Sequence, residues 1–376
     1  MLWEEKFKPF SRVCLVILFA TFCNLYAGKS QLPDNQDKTI KIGLLLPDSN
    51  SIAARQGADI AINEANAKGG MKGRPFQLVV RSMEGPWGTG SRETVDLIFE
   101  EKVWAILGSH DGRNAHLVEQ AATKTHVIFL SAWAGDPTLS QAFVPWFFNC
   151  VPNDRQQAEA LIDEIYTKRK IDRIAIISDN DYDSKQAVKN LMSIIKTTGK
   201  NEPAQLVLNN SDEELNVLLD KINVANVSCI IIFCRSSASL KIIRQIRKRN
   251  MSQPLFGSLS LLNENVLSEQ DLQVLDDLLL IPSGNWPLSK SSAFILNYRR
   301  LYGQNPGMVA HYAYDGMNLL IEAIKEAGAP EREMIQKSLQ EIHYEGVTGL
   351  IQFDDKGNRM GPFKITHLKN GIPVIF

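Results

Sequence analysis

The sequence predicts an α/β fold of two units, each a parallel sheet covered by helices on both faces. Three observations carry this. Short apolar runs alternate with helical stretches of ten or more residues along most of the 376-residue chain, the pattern of parallel sheets built through helical crossovers. The strands are too many for one small sheet, and the length suits two domains. The alternation then breaks near the end into three helices in near succession and antiparallel strands. That break argues against the competing fold, a barrel of eight strand–helix units.

The elements follow in order. Residues 39–47 (TIKIGLLLP) are an apolar run stopped by proline, a buried strand. In 51–70 the apolar residues share one helix face, and Gly69–Gly70 end it. Strands are read at 75–83, 103–109, 126–132 and 145–151, with helices at 91–102 and 113–125 between them. The second unit repeats the scheme. Helices fall at 154–170, 184–200, 211–225 and 237–250, and strands at 172–179, 204–209, 227–234, 254–259 and 276–282. Ser211 followed by Glu214 forms a capping-box pattern. Helices at 291–303, 308–328 and 332–342 precede a hairpin-rich end, 349–376, whose turn is Asp354-Asp355-Lys356-Gly357. The chain switches between units near Val151–Asn153 and again near Ile281–Ser283.

Composition excludes several classes. Hydrophobic residues make up 44% and charged residues 22%, which is globular and not disordered. With 41 basic and 42 acidic residues the chain lacks the basic excess of a nucleic-acid binder. Residues 13–23 (VCLVILFATFC) follow Lys6, Lys8 and Arg12 and precede the small residues Ala27-Gly28. The run is shorter than the roughly 20 residues that a bilayer span needs. It reads as a signal peptide over 1–27, cleaved after Ala27, with a short anchor or a buried helix as alternatives. The bulky Phe22 before Cys23 disfavours lipoprotein processing. Residues 28–38 form a flexible leader. Without residues 1–27 the chain keeps 38 basic and 40 acidic residues, having lost Lys6, Lys8, Arg12, Glu4 and Glu5. Cys150, Cys229 and Cys234 then remain. Three cysteines are no disulfide scaffold, and Cys229 within CIIIF reads as a small buried hydrophobe.

Enzyme signatures are sparse. HExxH and GxSxG are absent, and the spacing of His110 and His116 matches no standard zinc pattern. Gly85-Pro86-Trp87-Gly88-Thr89-Gly90 lacks the lysine of a phosphate loop, and the first strand lacks the dinucleotide fingerprint. His110 beside Asp111 is the one enzyme candidate, as a cleft hydrolase. No cofactor or metal is implied. What remains are polar and aromatic loops at the carboxyl ends of strands, where open α/β sheets bind ligands. Asp111-Gly112-Arg113 offers close backbone approach and a forked donor for a carboxylate. Ser131-Ala132-Trp133-Ala134 offers a hydroxyl, carbonyls and an aromatic wall, and Trp87 offers a second wall. Each also has a plain structural reading, as a solvated helix start or a packing residue.

In order and spacing, KIGLLLPDSN, GADIAINEANAKGGMKGRPFQLVV, DRIAIISDNDYDSKQAVKNL, HYAYDGMNLLIEAIKEAG and GLIQFDDKGNRMGPF resemble the type 1 periplasmic solute-binding proteins of the leucine/isoleucine/valine-binding kind, over nearly all of 39–376. The resemblance implies two Rossmann-like lobes, 39–151 with 283–362 and 152–282 with 363–376, joined by a three-crossing hinge near 151–153, 281–284 and 361–364. It implies a receptor that closes over a small solute and delivers it to the membrane permease of an ABC importer, in the periplasm, as a monomer without nucleic acid.

It also implies where the ligand sits, and there the sequence departs from the family. Asp111-Gly112-Arg113 replaces the serine-rich helix start that meets the ligand carboxylate. In Ser131-Ala132-Trp133-Ala134 the expected threonine is Ala134. Tyr182 matches the covering tyrosine, and Arg235 or Ser236 replaces a second one. The carboxylate that holds the ligand ammonium falls near Leu259, with Ser260 beside it, so Asp181 or Asp183 would have to supply that charge. The ligand class stays open among an amino acid, an organic or aromatic acid, an amide and a short peptide. A sensing domain partnered with a separate membrane receptor is the alternative role.

Overall fold

The computed structural model describes residues 39–375, except 142–144, 210, 277–278, 330 and 370–371. The expected signal peptide and leader, 1–38, lie outside the described residues.

Two open sheets carry the fold. The first holds five strands in the order β2-β1-β3-β4-β5: β1 (Ile40–Leu46), β2 (Phe76–Ser82), β3 (Ala105–Gly108), β4 (Ile128–Ser131) and β5 (Phe147–Asn149). All its pairings are parallel. The second holds seven, β14-β13-β10-β9-β8-β6-β7. Its parallel part is β6 (Ile174–Ser178), β7 (Ala204–Val207), β8 (Cys229–Phe233), β9 (Leu255–Gly257) and β10 (Leu279–Ser283). The chain end adds β13 (Lys364–Lys369) and β14 (Ile372–Ile375) antiparallel at its edge. The short pair β11 (Tyr344–Gly346) and β12 (Gly349–Ile351) stands apart. Two separate open sheets exclude the closed barrel.

β1, β3, β4 and β6 are buried on both faces, which is why they read as unbroken apolar runs rather than alternating ones. On the first sheet, α1 (Ile52–Ala67) packs closely against α10 (Met308–Ala327), a helix buried along most of its length. The opposite face is covered by α2 (Thr89–Phe99) and α3 (Gly112–Thr125). On the second sheet, α4 (Asp154–Ile162) and α5 (Tyr182–Thr197) cover one face, and α6 (Asp212–Val224) and α7 (Ser236–Lys248) the other.

Several boundaries moved. The helix expected over 154–170 is α-helical only to Ile162 and continues as a π-turn, Asp163–Lys168. The strand expected over 276–282 is β10, and the helix expected from 291 is α9 (Leu288–Tyr302). The stretch between β9 and β10, to which the sequence reading assigned no element, holds a 3₁₀ turn (Leu259–Leu262) and α8 (Glu269–Leu275). α8 opens on a capping box in which Ser268 and Asp271 satisfy each other's backbone N–H. With Asp in place of Glu or Gln the pattern was easily missed. Cys150, Cys229 and Cys234 are free and buried. Among the described residues no helix is long and apolar enough to cross a membrane.

The chain passes between the sheets after β5, after β10 and before β13. The first and third crossings are stitched together. Asn153 Nδ2 donates to Asn358 Oδ1 at 3.0 Å, and Gln156 Nε2 donates to the Arg359 carbonyl at 2.8 Å. Arg359, 1% exposed, donates to the carbonyls of Cys150, Thr348 and Leu350 and to Thr348 Oγ1. Asp315 completes the knot, accepting from Val347 N, Thr348 N and Thr348 Oγ1 at 2.9, 2.8 and 2.6 Å. The turn Asp354–Gly357 that leads into this crossing is held by the Asp354 carboxylate, which accepts from Lys356 N and Asn358 N.

Candidate ligand-binding cleft

The carboxyl ends of β3 and β4 carry the loops 109–114 and 131–136, and those loops face the start of α5 and the start of α4 across the cleft. The contacts are specific. Tyr182 Oη donates to Asp136 Oδ2 at 2.7 Å. Gly112 N donates to Asp183 Oδ1 at 3.0 Å. Asp154 N donates to the Gly135 carbonyl at 2.7 Å. Both glycines are needed for this approach. A Cβ at Gly112 would lie 2.8 Å from Asp136 Cβ and 3.0 Å from Asp183 Oδ1, and one at Gly135 would lie 2.6 Å from Asp154 Oδ1. A second bridge lies between β9 and α8. Glu264 accepts from Val309 N and Ala310 N, the first turn of α10, at 2.8 and 2.7 Å. Its neighbour Asn265 accepts from Ala53 N at the start of α1.

Electrostatically the cleft is acidic. Asp136 is 2% exposed. Burial works against its charge, but hydrogen bonds from His116, Tyr182 and Thr138 hold its carboxyl below the ordinary range. The same contact raises the His116 pKa. Asp183 is pushed up to about 7, first by burial and then by the like charge of Asp111. Asp154, 9% exposed, is raised well above the ordinary carboxylate value by burial and by Asp183 and Asp136. Glu264 is raised to about 7 by burial, against the pull of its backbone donors.

The structure places the sequence candidates in three groups. Gly112, Tyr182 and Asp183 meet across the cleft, as above. Asp111 caps α3, its carboxylate accepting from Asn114 N and Nδ2. Ser131, Ala132 and Ala134 are buried, and their loop satisfies itself: Ala134 N donates to Ser131 Oγ, and Asn149 Nδ2 donates to the Ala134 carbonyl. Trp133 packs partly buried against the core.

The remaining candidates are engaged elsewhere. Arg113 is exposed and lies over the Trp87 ring at 4.3 Å, with Trp87 66% exposed. The expected anion fork and its aromatic wall are therefore a surface cation–π pair. Arg235 pairs with Asp179 at 3.3 Å and reaches Asp181, the cap of α5, at 4.0 Å. Ser236 Oγ donates to the Ser260 carbonyl, and Ser260 Oγ meets Ser258 Oγ at 2.7 Å. The Leu259 side chain is in the core, and its N–H is taken by Gln157.

His110 is no acid–base pair with Asp111. It is 1% exposed, stacks on Phe129, touches only the Asp111 carbonyl, and burial lowers its pKa. No group of residues that could hold a metal occurs among the described residues.

Sequence reasoning missed Asp154, Gln157 and Glu264. Asp154 sits at a helix start, where an acidic residue is expected for capping alone, so nothing local marked it.

Two parallel-sheet lobes, cross-linked by three passes of chain and meeting through loops at their carboxyl edges, define a two-lobed binding protein. The chain belongs to the periplasmic binding protein family, whose profile matches residues 39–371. It is 22% identical to Glutamate receptor 3.4 of Arabidopsis thaliana over 89% of this chain, but spans only 39% of that receptor. It is 19% identical to the leucine-, isoleucine-, valine-, threonine- and alanine-binding protein of Pseudomonas aeruginosa, covering 85% of this chain and 87% of that one. Its fold matches the isoleucine-bound branched-chain amino acid transporter substrate-binding protein LivJ of Streptococcus pneumoniae. The TM-score is 0.75 at 23% identity, over 89% of this chain and 97% of that one. The family and the fold are those of binding proteins, not of enzymes.

Proposed function

We propose that this chain is the solute-binding component of an ABC importer, taking a small polar organic ligand between its lobes and presenting the closed form to a membrane permease. The periplasm is its proposed site of action, reached through cleavage of the leader after Ala27. The observation that carries the reading is the cleft itself. Loops from both sheets meet there through Tyr182–Asp136 and Gly112–Asp183, so a ligand that touches both lobes favours the closed state by its differential affinity.

The test is a thermal-shift screen of the refolded chain from Gly28 onward, followed by small-angle scattering with any hit. A ligand at 100 times its dissociation constant adds roughly 2.7 kcal/mol of apparent stability, and closure reduces the radius of gyration. A hit without compaction argues against interlobe binding, and a flat screen argues against solute capture. A sensing role with a separate membrane receptor is the second reading, supported by the glutamate receptors among the relatives. Solute uptake by permease-bearing vesicles on addition of the loaded chain separates the two.

A further inference from the structure

The cleft of a binder for organic anions would present free cationic side chains. Here it presents the reverse. Asp111, Asp136, Asp154 and Asp183 converge where the two lobes meet: Asp183 feels Asp111 and Asp136, and Asp154 feels Asp183 and Asp136. Among the described residues, none of Asp111, Asp154 and Asp183 pairs with a lysine or arginine. Asp136 has the His116 ring, the Tyr182 and Thr138 hydroxyls and the Thr138 N–H. Asp111 has Asn114, and Asp183 has the Gly112 N–H. The arginines close in sequence to the cleft loops are engaged elsewhere, Arg113 on Trp87, Arg155 on Glu159, and Arg235 on Asp179 and Asp181.

Asp154 differs from the others. It is 9% exposed, it lies against Gly135 of the opposite lobe, and its carboxylate accepts no hydrogen bond among the described residues. Its oxygens are not among the fully buried side-chain atoms that lack a partner, so they keep access to the cleft. A carboxylate that no protein donor meets, open to the cleft and in a cluster of like charge, is complementary to a group that brings both positive charge and N–H donors.

Resting on the solute-binding reading above, we propose that the cleft takes an organic amine or amidine without a carboxylate, its cationic nitrogen held between Asp154 and Asp183. The class follows from what each lobe supplies. The second lobe gives two carboxylates. The first gives no free cation, and the helix-start N–H groups of Gly112 and Asn114, which could meet a carboxylate, are already taken by Asp183 and Asp111. The solute is therefore a net cation rather than a zwitterion or an anion.

The experiment is isothermal titration of the refolded chain at pH 8 with putrescine, agmatine and phenethylamine. These are set against leucine, succinate, benzoate, acetamide and 1,4-butanediol, the last being putrescine with each ammonium replaced by a hydroxyl. The expected result is binding of at least one cation. Its affinity falls at least tenfold in Asp154→Asn and in Asp183→Asn, and the matched neutral compound does not bind. The comparison of putrescine with butanediol needs no variant, so it stands even where a variant fails to fold. Tightest binding by leucine, an acid or acetamide, or cation binding untouched by both variants, overturns the cation site while leaving solute capture intact. No binding by any compound overturns both readings.

Discussion

Asp315 and Asp154 are both buried aspartates close to a hinge crossing, and they are built in opposite ways. Asp315, fully buried, is met by two backbone N–H groups and a hydroxyl, with Arg359 nearby. Even the backbone makes room, since a Cβ at Gly346 would lie 2.4 Å from that carboxyl. Asp154 has like-charged neighbours and no donor. A carboxylate that serves the fold brings its hydrogen-bond partners with it, because removing it from water without them costs more than the fold gains. One left without partners, at the meeting face of two lobes, serves something other than the fold.

The sharpest way to break this comparison is the same substitution at both places. Asp315→Asn puts an amide N–H among N–H donors and removes the charge that the Val347 and Thr348 donors meet. A hydrogen bond to a charged group contributes about 1.5–3 kcal/mol, and chemical denaturation is expected to show a loss of at least that size. Asp154→Asn removes no hydrogen bond. It is expected to leave the stability of the unliganded chain within about 1 kcal/mol or to raise it, as for sites outside the named destabilising mechanisms. Equal losses at both positions would erase the distinction.

The next test concerns the lobe contact. Tyr182→Phe deletes one hydrogen bond to the charged Asp136, a contact worth about 1.5–3 kcal/mol. Because the bond joins the lobes, its loss should fall on the closed state. Ligand affinity is expected to drop by roughly tenfold or more, while the denaturation midpoint moves little. A large drop in stability with unchanged affinity would make Tyr182 a packing residue.

How much of this was legible in the sequence differs between fold and cleft. Runs such as CIIIF and IAIIS are buried on both sides, so their apolar continuity is itself the strand signal. The alternation with long helices then set the parallel sheets. What failed locally were elements whose stop or start is a tertiary or capping matter, as with α8 on its Ser268–Asp271 box. In the cleft, Gly112 was singled out on a loop at the carboxyl edge of a sheet, and Tyr182 and Asp183 through the family resemblance, and these three meet where the two sheets face each other. Arg113 and Trp87 were singled out on such loops too and proved to stack on each other, since direction around a helix start is not set by sequence distance. Asp154 and Glu264 were invisible. Their meaning depends on a partner from the other lobe, Gly135 for Asp154 and Val309 with Ala310 for Glu264, and pairing between elements leaves no mark on the local pattern.

The smallest expected effect is the pH dependence, and it tests the comparison at its second bridge. Glu264 resembles Asp315 in having donors, the Val309 and Ala310 N–H groups, yet burial raises its pKa to about 7. A carboxyl raised in the folded state binds a proton there that the unfolded chain releases near its ordinary value of about 4.3. Between those two values the folded state holds more protons, so stability falls as pH rises from about 4.3 toward about 7 and levels off above it. Asp183, also raised to about 7, and Asp154 push in the same direction. Asp136 does not oppose them in this window, because its lowered pKa confines its loss of stability to more acidic solution. The buried His110 and His311 pull the other way, because burial lowers their pKa values, so the share of Glu264 is read from the difference in melting temperature between pH 5 and pH 8 with and without its carboxyl. Glu264→Gln, which keeps an oxygen acceptor for the start of α10 but cannot ionise, should remove part of that difference. A pH dependence unchanged by Glu264→Gln would mean that the Val309 and Ala310 N–H groups hold this carboxyl near the ordinary range, and would place Glu264 with the fully satisfied Asp315.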